Sequence, residues 1–383
     1  MYLEDDISTC LTLFYDYVEE NPNSVILPDF EQVMINDVEE LVKNDKEEEY
    51  IQDVMDVSLE IFYETLYPSR SFPNSFCQNQ SNKEKIIIQN KLDKIHNTEQ
   101  PQQKTNEWYT TRQGLLTASN AYKMFDSQCQ QNSLIYEKCK PKSIEDMNPK
   151  NINTESSLHW GNKYEPLSVL LYEDIYKTKV GEYGFLPHKT HFFLGASPDG
   201  INIDYHSDRF GRMLEIKNIV NREINGIPKK EYWVQMQLQM EVFDLNECDF
   251  LETRFIEYEN EVDFLRDSDD SIFVSKNQER KGIILYFSDS NTGNPFYIYT
   301  PLHITYSEYE LWSDKIIQET IENNPSLFWV RQIYWKLDEI SCVLVKRNKH
   351  WFQHAIPIMA QFWNTIQKEK INGYDHRAPK NKK

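Results

Sequence analysis

The chain has 383 residues and a formal net charge of -20, with 39% hydrophobic and 13% aromatic residues. This length allows two or three domains with a large apolar core and excludes a small disulfide scaffold. The longest apolar runs fall far short of the roughly 20 residues needed to cross a bilayer, and the acidic N-terminus lacks the basic residues of a secretory signal. We therefore expect a soluble, non-exported protein with no membrane partner, located in the cytoplasm, with a nuclear location as the alternative.

The negative charge is concentrated at the start of the chain. Residues 1–66 hold 19 of the 61 acidic residues and two of the 41 basic ones, whereas the remaining residues hold 42 acids and 39 bases. The bulk of the chain is thus close to neutral, and the net charge does not exclude a polyanionic partner such as nucleic acid.

Two common kinds of site are missing from the sequence. The six cysteines are scattered without a C-x-x-C pair, which predicts free thiols in a reducing compartment and no thiolate metal site. There is also no P-loop and no G-x-G-x-x-G motif, so we expect no nucleotide-driven motor activity.

The first 106 residues are predicted to be accessory. Helical spacing of apolar residues around Phe14 and Val54 indicates an acidic helical subdomain at 1–66. Three interpretations of its charge remain open: a solvated helical face, a docking surface for a partner, or a mimic of DNA that covers the active-site channel. Residues 67–106 are rich in Pro, Ser, Asn and Gln, and we expect a linker with one helix.

The densest signals lie between residues 107 and about 259. Ser119 has the position of an N-cap for a short apolar helix, and a second helix follows Trp160. Strands are predicted at 191–195 and 213–219, joined as a hairpin through the turn that contains Asp199. A further strand is expected at 248–258.

The rest of the chain alternates between irregular and ordered segments. Residues 260–335 are charged and irregular, with a strand at 283–287 and a helix near 307–322. The end of the chain is predicted to contain a strand at 342–345 and an amphipathic helix around residues 356–366.

Asp199, Glu215 and Lys217 form the constellation that points to chemistry. In an extended strand Glu215 and Lys217 share one face, and a hairpin brings Asp199 to the same edge. Two carboxylates and a backbone carbonyl suit a hard divalent cation such as Mg²⁺, and a lysine beside it can hold or deprotonate an attacking water. The alternative is a solvated strand edge, since 27% of the residues are charged.

With its neighbouring motifs, this constellation resembles the PD-(D/E)xK nucleases, and within them the phage lambda-type exonucleases and YqaJ-like viral recombinases, including the alkaline exonucleases of large DNA viruses. The motifs occur in the family's order and cover about half of the chain. They are Glu107-Trp108 with Arg112, Thr117-Ala118-Ser119, Trp160-Gly161 through Glu165, Ser197-Pro198-Asp199-Gly200, Glu215-Ile216-Lys217, Gln235, and the block Val345 to Phe352.

The resemblance implies an α/β fold, a restriction-endonuclease-like core with a central mixed β-sheet flanked by helices, here with an N-terminal helical extension. It divides the chain into the 1–66 subdomain, the 67–106 linker, a nuclease domain at 107–370 with an insertion at about 260–335, and a basic tail at 371–383. The alternation around Gln235 is a strand pattern, whereas the family has a helix there. We adopt the helix because the spacing of Gln235 and Gln239 also fits one helical face.

The resemblance also implies the roles of the site residues. One or two Mg²⁺ or Mn²⁺ ions are expected on Glu165, Asp199, Glu215 and the Ile216 carbonyl. Lys217 activates water, and Gln235 holds the lysine or the nucleophile in place. Arg112, Ser119 and Ser197 are expected to bind a DNA 5′-phosphate.

Each of these residues also has a structural interpretation. Glu165 suits a helix N-terminus through the macrodipole, Ser119 suits a cap alone, and Arg112 suits a surface ion pair.

The function expected from the resemblance is that of a Mg²⁺-dependent deoxyribonuclease, a 5′-to-3′ exonuclease that degrades one strand of duplex DNA from a 5′-phosphorylated end during viral DNA recombination or processing. The alternatives are a structure- or sequence-directed endonuclease on the same core and a non-catalytic DNA-end-binding module. The expected partners are double-stranded DNA ends and a single-strand annealing protein. The oligomeric state stays open between a monomer and a homotrimer, because the added segments can block the ring contacts of the phage enzyme.

Overall fold

The computed structural model describes residues 2–43, 47–73, 80–101, 105–141 and 152–379. The helices are α1 (Tyr2–Glu20), α2 (Phe30–Val42), α3 (Glu48–Ile61), α4 (Asn82–His96), α5 (Asn106–Gln113), α6 (Ala118–Ala121), α7 (Gln128–Cys139), α8 (Ser157–Tyr176), α9 (Lys230–Phe243), α10 (Glu261–Arg266), α11 (Tyr306–Asn323) and α12 (Lys349–Asn372). The strands are β1 (Leu116–Thr117), β2 (Val180–Gly181), β3 (Leu186–Pro187), β4 (Leu194–Ala196), β5 (Gly200–Asn202), β6 (Met213–Ile219), β7 (Glu247–Glu257), β8 (Lys281–Asp289), β9 (Pro295–Tyr299) and β10 (Leu327–Lys346).

The N-terminal helices form because each carries one apolar stripe. Phe14 and Val18 of α1 and Met34 and Val38 of α2 lie four residues apart and are almost fully buried. The helix predicted in the linker is α4, whose N-terminus is closed by a capping box in which Ser81 accepts the N–H three residues later. The prediction of helices in these segments is confirmed.

The N-terminal helices are packed on the rest of the protein. The buried Arg70 guanidinium donates to the Val25 carbonyl at 3.1 Å and to the Pro228 carbonyl. Phe72 and Leu344 exchange two backbone hydrogen bonds at 2.7 and 2.9 Å. One buried apolar cluster continues from these helices into the sheet region. The domain boundaries drawn from the sequence stay a prediction.

The central sheet has seven strands in the order β2-β5-β6-β7-β10-β8-β9. β6 and β7 pair in parallel and the other neighbours are antiparallel, so the sheet is mixed. A second sheet has the order β1-β4-β3. The predicted fold class, a mixed sheet flanked by helices, is confirmed.

The prediction of a hairpin between residues 191–195 and 213–219 is wrong for the first of these two strands. β6 pairs with the three-residue strand β5, which directly follows Asp199, whereas β4 lies in the small sheet. The sequence pattern missed β5 because three residues are too few to show an alternation.

Opposite faces of β6 are covered by different helices. Leu214 and Ile216 pack in one cluster with Tyr172 of α8. Met213, which has the opposite parity, packs in the cluster that contains Trp233 of α9. Because side chains alternate along a strand, residues 215 and 217 face the α9 side of the sheet.

The segment 260–335 contributes to the same sheet. The strand and helix predicted there are β8 and α11, and β9 pairs with β8. The strand predicted at 342–345 is the end of β10, which is 20 residues long and pairs with β7 along one edge and with β8 along the other. β10 therefore joins the segment to the part of the sheet that contains β6.

Two predictions that rest on composition concern membranes and thiols. Within the described ranges, no helix combines the length and the apolarity that a membrane crossing requires. Cys10, Cys129, Cys139, Cys248 and Cys342 are free thiols. Cys77 and the last four residues of the predicted basic tail lie outside the described residues.

Candidate functional site

The turn before β5 fixes Asp199 against strand β6. The Asp199 N–H donates to the Leu214 carbonyl at 3.2 Å, and its Oδ2 accepts the Ile216 N–H at 2.7 Å. Gly200, the first residue of β5, lets that strand approach β2 closely, since a Cβ there would lie 2.2 Å from Cγ1 of Val180. Backbone pairing thus places this carboxylate beside the strand that carries Glu215.

Glu215 is held at both of its oxygens. Its side chain is 0% exposed, and Oε1 forms an ion pair with the Lys217 ammonium. Oε2 accepts a hydrogen bond from Nε2 of Gln239 at 2.7 Å, and the same nitrogen donates to the Ser197 carbonyl at 3.1 Å. The Lys217 Nζ also lies 5.0 Å from the ring centroid of Tyr232. The predicted pair of Glu215 and Lys217 is therefore in direct contact.

The charges of the site act on one another. Desolvation raises the pKa of Asp199 well above its usual value, and the Glu215 and Glu165 carboxylates raise it further. Desolvation would lower the pKa of Lys217, but attraction to Glu215 and Asp199 dominates and raises it above its ordinary value. Lys217 is thus a stable ammonium, whereas burial beside other carboxylates favours the protonated form of Asp199.

Glu165 reaches the site from the middle of α8. It is the ninth of that helix's 20 residues, and Ser156 caps the helix by accepting the His159 N–H at 3.1 Å. The expectation that Glu165 opens the helix is wrong, and the macrodipole interpretation fails with it because that effect is confined to the first turn. The Glu165 carboxylate is near enough to Asp199 to raise the pKa of that carboxyl.

The donor set has the chemistry of a site for a hard divalent cation. Glu165, Asp199 and Glu215 supply carboxylate oxygens and Ile216 supplies a backbone carbonyl, which are the ligands that Mg²⁺ and Mn²⁺ prefer. A cation would relieve the repulsion that raises the pKa of Asp199. Among these described residues, the three carboxylates do not all bring an oxygen within 4.8 Å of the others. Ligation by all three therefore requires at least one side chain to change rotamer.

A cavity of about 150 Å³ adjoins the carboxylates. Its lining includes all three residues predicted to bind a phosphate, and Asp199 contributes to the same wall. The lining residues are Trp108, Arg112, Thr117, Ala118, Ser119, Ala196, Ser197, Pro198, Asp199 and Gln235.

Arg112 gives this cavity its positive charge. Its guanidinium lies 4.2 Å from the ring centroid of Trp108, and Nη2 lies 3.5 Å from Oγ of Ser119. Burial lowers the pKa of Arg112 from its ordinary value. No carboxylate of the described residues lies within 4.0 Å of the Arg112 guanidinium, so the structure does not support the surface ion pair. A half-buried guanidinium without such a partner favours an anionic ligand.

Ser119 is not a helix cap. Helix α6 begins at Ala118 with Thr117 as its N-cap, so Ser119 is its second residue. The Ser119 hydroxyl instead lies near Arg112 and 3.3 Å from Oγ1 of Thr117. The sequence placed the helix start two residues late, because three adjacent small residues, Thr117, Ala118 and Ser119, fit the cap signal almost equally well.

The segment around Gln235 is helix α9, so the prediction of a helix there is confirmed. The three glutamines of this helix face different partners. Gln235 lines the Arg112 cavity, and among the described residues it makes no hydrogen bond to Lys217. Gln237 exchanges hydrogen bonds with the backbone of Lys346 and Asn348 at 3.0 and 2.7 Å. Gln239, to which the resemblance assigns no role, holds Glu215. It lies one helical turn after Gln235, but this spacing alone does not indicate which glutamine contacts the carboxylate.

The segment that contains most of the site residues is similar to a known family. Residues 107–246 match the model of the YqaJ-like viral recombinase domain. Uncharacterized protein R354 of Acanthamoeba polyphaga mimivirus is 34% identical over 305 residues, which is 72% of this chain and 54% of that protein. The chain thus spans about half the length of this relative.

Two solved structures are also similar. The alkaline exonuclease LHK-Exo from Laribacter hongkongensis is 18% identical, with a TM-score of 0.39, over 70% of this chain and 94% of that one. LHK-Exo in complex with dAMP is 17% identical, with the same TM-score and the same coverage.

Proposed function

We propose that this chain, whose residues 107–246 match the YqaJ-like viral recombinase domain, is a metal-dependent deoxyribonuclease. It binds the 5′-phosphorylated end of a DNA duplex and hydrolyses that strand in the 5′-to-3′ direction. The product is a duplex with a 3′ overhang, the form of DNA that a single-strand annealing protein takes up in recombination.

The observation that supports this proposal is the shared position of Asp199. Its carboxylate belongs to the cluster with Glu215 and Lys217, and it also borders the cavity that contains Arg112. A terminal phosphate bound to Arg112 therefore lies next to the groups that can act on a neighbouring phosphodiester. This arrangement favours an end-directed enzyme over one that cuts at internal positions.

Each residue has a defined task in this proposal. Glu165, Asp199, Glu215 and the Ile216 carbonyl would hold one or two Mg²⁺ or Mn²⁺ ions. When bound, such an ion orients water and stabilises the departing 3′-oxygen. The ammonium of Lys217 donates to an oxygen on which negative charge develops.

The supporting groups fix these residues in place. Gln239 keeps the Glu215 carboxylate oriented through its hydrogen bond to Oε2. Arg112, Ser119 and Ser197 position the DNA end. Water forms the new bond to phosphorus as the bond to the 3′-oxygen breaks, and the proton lost by water is balanced by the proton gained by the 3′-oxygen.

The decisive experiment follows each strand of a linear duplex separately. With Mg²⁺ we expect loss of label from the 5′ end of one strand at a time and no loss in EDTA. Cutting of covalently closed circular DNA would favour the endonuclease alternative, and binding of ends without cutting would favour the non-catalytic module. Degradation from the 3′ end would contradict the proposed polarity.

Arg112→Ala is expected to slow digestion of 5′-phosphorylated ends by about 10- to 100-fold, the range that follows from losing a charge-assisted hydrogen bond. Digestion of 5′-hydroxyl ends should change little, because those ends bring no terminal phosphate to the cavity. The measurement is the initial rate on paired substrates that differ only in this group. Arg266→Ala is the matched control, since Arg266 is 72% exposed. An equal loss on both substrates would rule out the phosphate pocket.

A further inference from the structure

A second group of metal-ligating side chains lies outside the nuclease site. His350 and His354 are one turn apart on α12, and Glu19 near the end of α1 reaches the same point. Each of the three offers a ligand atom within 4.8 Å of the others, and among the described residues this trio is the one that meets this spacing. The cluster therefore joins helices from opposite ends of the chain.

The hydrogen bonds of the cluster orient its side chains toward one point. Nε2 of His350 lies 2.8 Å from Oε1 of Glu19. Nδ1 of His354 donates to the backbone carbonyl of His350 at 3.0 Å. With its proton on Nδ1, His354 keeps a lone pair on Nε2, and ring N–H donation to a carbonyl is the usual way in which proteins orient a metal-binding histidine.

His350 presents Nε2 to Glu19, and its ring is packed in that orientation. Nδ1 of His350 is buried and has no hydrogen-bond partner among the described residues. The edge of the Tyr67 ring packs on His350 at a centroid distance of 5.5 Å. Nε2 is therefore the ring nitrogen of His350 that can reach an ion shared with Glu19 and His354.

The ligand types select the metal. Two imidazoles and one carboxylate match a borderline transition ion such as Zn²⁺, whereas Mg²⁺ and Mn²⁺ prefer oxygen ligands alone. In a tetrahedral site with bonds of about 2.0–2.2 Å the ligand atoms are roughly 3.3 Å apart, so small side-chain rotations suffice. Glu19 is 37% exposed, which leaves the fourth position to water.

We propose that Glu19, His350 and His354 bind a zinc ion that fastens helix α1 to helix α12. The site is separate from the nuclease carboxylates in position and in ligand chemistry. Its effect is to fix the acidic N-terminal helices to the C-terminal helix, because both ends of the chain contribute ligands. Zinc then stabilises the folded protein by binding the native state selectively.

The test uses the full chain with Mg²⁺ in excess, so that oxygen-ligand sites are saturated. Zn²⁺ is titrated in competition with a zinc-sensitive dye. We expect the protein to bind one equivalent and to show a rise in its thermal unfolding midpoint. His354→Gln and Glu19→Gln should each weaken zinc binding by at least about tenfold and abolish the rise.

His191→Gln is the matched control, since His191 belongs to another neighbouring imidazole pair, with His188 at a centroid distance of 4.8 Å. It should bind zinc as the unmodified chain does. A second readout is the visible spectrum of the Co²⁺-substituted protein, in which ligand-field bands should depend on His354 and not on His191.

Three results would overturn the proposal. They are failure of the unmodified chain to take zinc from the dye, equal zinc affinity in Glu19→Gln and the unmodified chain, or an equal loss in the His191→Gln control. If His354→Gln does not fold, the exposed Glu19 still provides a variant that decides the question.

Discussion

Lys217→Ala is expected to lower the rate of DNA hydrolysis by at least about 10²–10³-fold, the loss typical of removing a donor that stabilises developing charge. The variant loses the ammonium that contacts Glu215 and attracts Asp199. It also leaves the acidic cluster without its cation, so a substrate phosphate meets greater repulsion. The measurement is the single-turnover rate on end-labelled duplex at saturating Mg²⁺.

The control for this experiment is Lys179→Ala. Lys179 is 71% exposed and pairs with Glu173 at the surface, so its loss should leave the rate unchanged. Circular dichroism and DNA-end binding are measured on both variants, because Lys217→Ala leaves the buried Glu215 carboxylate without its ammonium partner, and the rate is compared between chains that fold and bind ends. Nuclease activity within threefold of the unmodified chain in Lys217→Ala would exclude the proposed role.

Asp249→Ala is expected to reduce the free energy of unfolding by about 3–5 kcal/mol, as is typical when one partner of a buried ion pair is removed. Asp249 is 0% exposed and forms ion pairs with Arg209 and Arg212, and its Oδ2 accepts the Tyr172 hydroxyl at 2.5 Å. Its loss removes the carboxylate that Arg209 and Arg212 share, while both guanidinium groups stay buried. Since Asp249 is paired with Leu214 in the sheet, the strand that carries Glu215 should loosen as well.

Urea unfolding followed by tryptophan fluorescence measures this change. Glu319→Ala is a suitable comparison, because the Lys315–Glu319 pair has side chains that are 70% and 48% exposed, and exposed pairs contribute about 0–1 kcal/mol. A loss below about 1 kcal/mol in Asp249→Ala would show that the two guanidinium groups find other partners or water.

The sequence predicted the contact between Glu215 and Lys217 because its signal is local. Glu215 and Lys217 lie two residues apart on one strand, and any extended chain places them on one face. Asp199 was placed correctly beside them, although its strand β5 was missed. Gln239 was missed because its role depends on how α9 packs over β6, and no spacing within the helix reveals which of its glutamines meets a carboxylate.

Other differences have similar causes. Glu165 looked like a helix opener because the segment before it is polar, yet Ser156 provides an earlier cap. β10 is far longer than predicted because its first half lies in the 260–335 segment, which was expected to be irregular. Seven of its first ten residues are aromatic or aliphatic, but Arg331, Gln332 and Lys336 interrupt them and the register shifts between Trp329 and Arg331. Pairing with β8 along this half and with β7 along the other half holds the two halves in one strand.

The segment that matches the recombinase family is shorter than the segment that forms the central sheet. The stretch that carries the recombinase signature ends at residue 246, one residue before β7 begins. A polypeptide cut at that boundary would keep Glu215 and Lys217 but would leave one edge of the seven-residue strand β6 unpaired, and exposed strand edges promote aggregation. The proposed site therefore depends on the later strands for support, although none of its assigned residues comes from them.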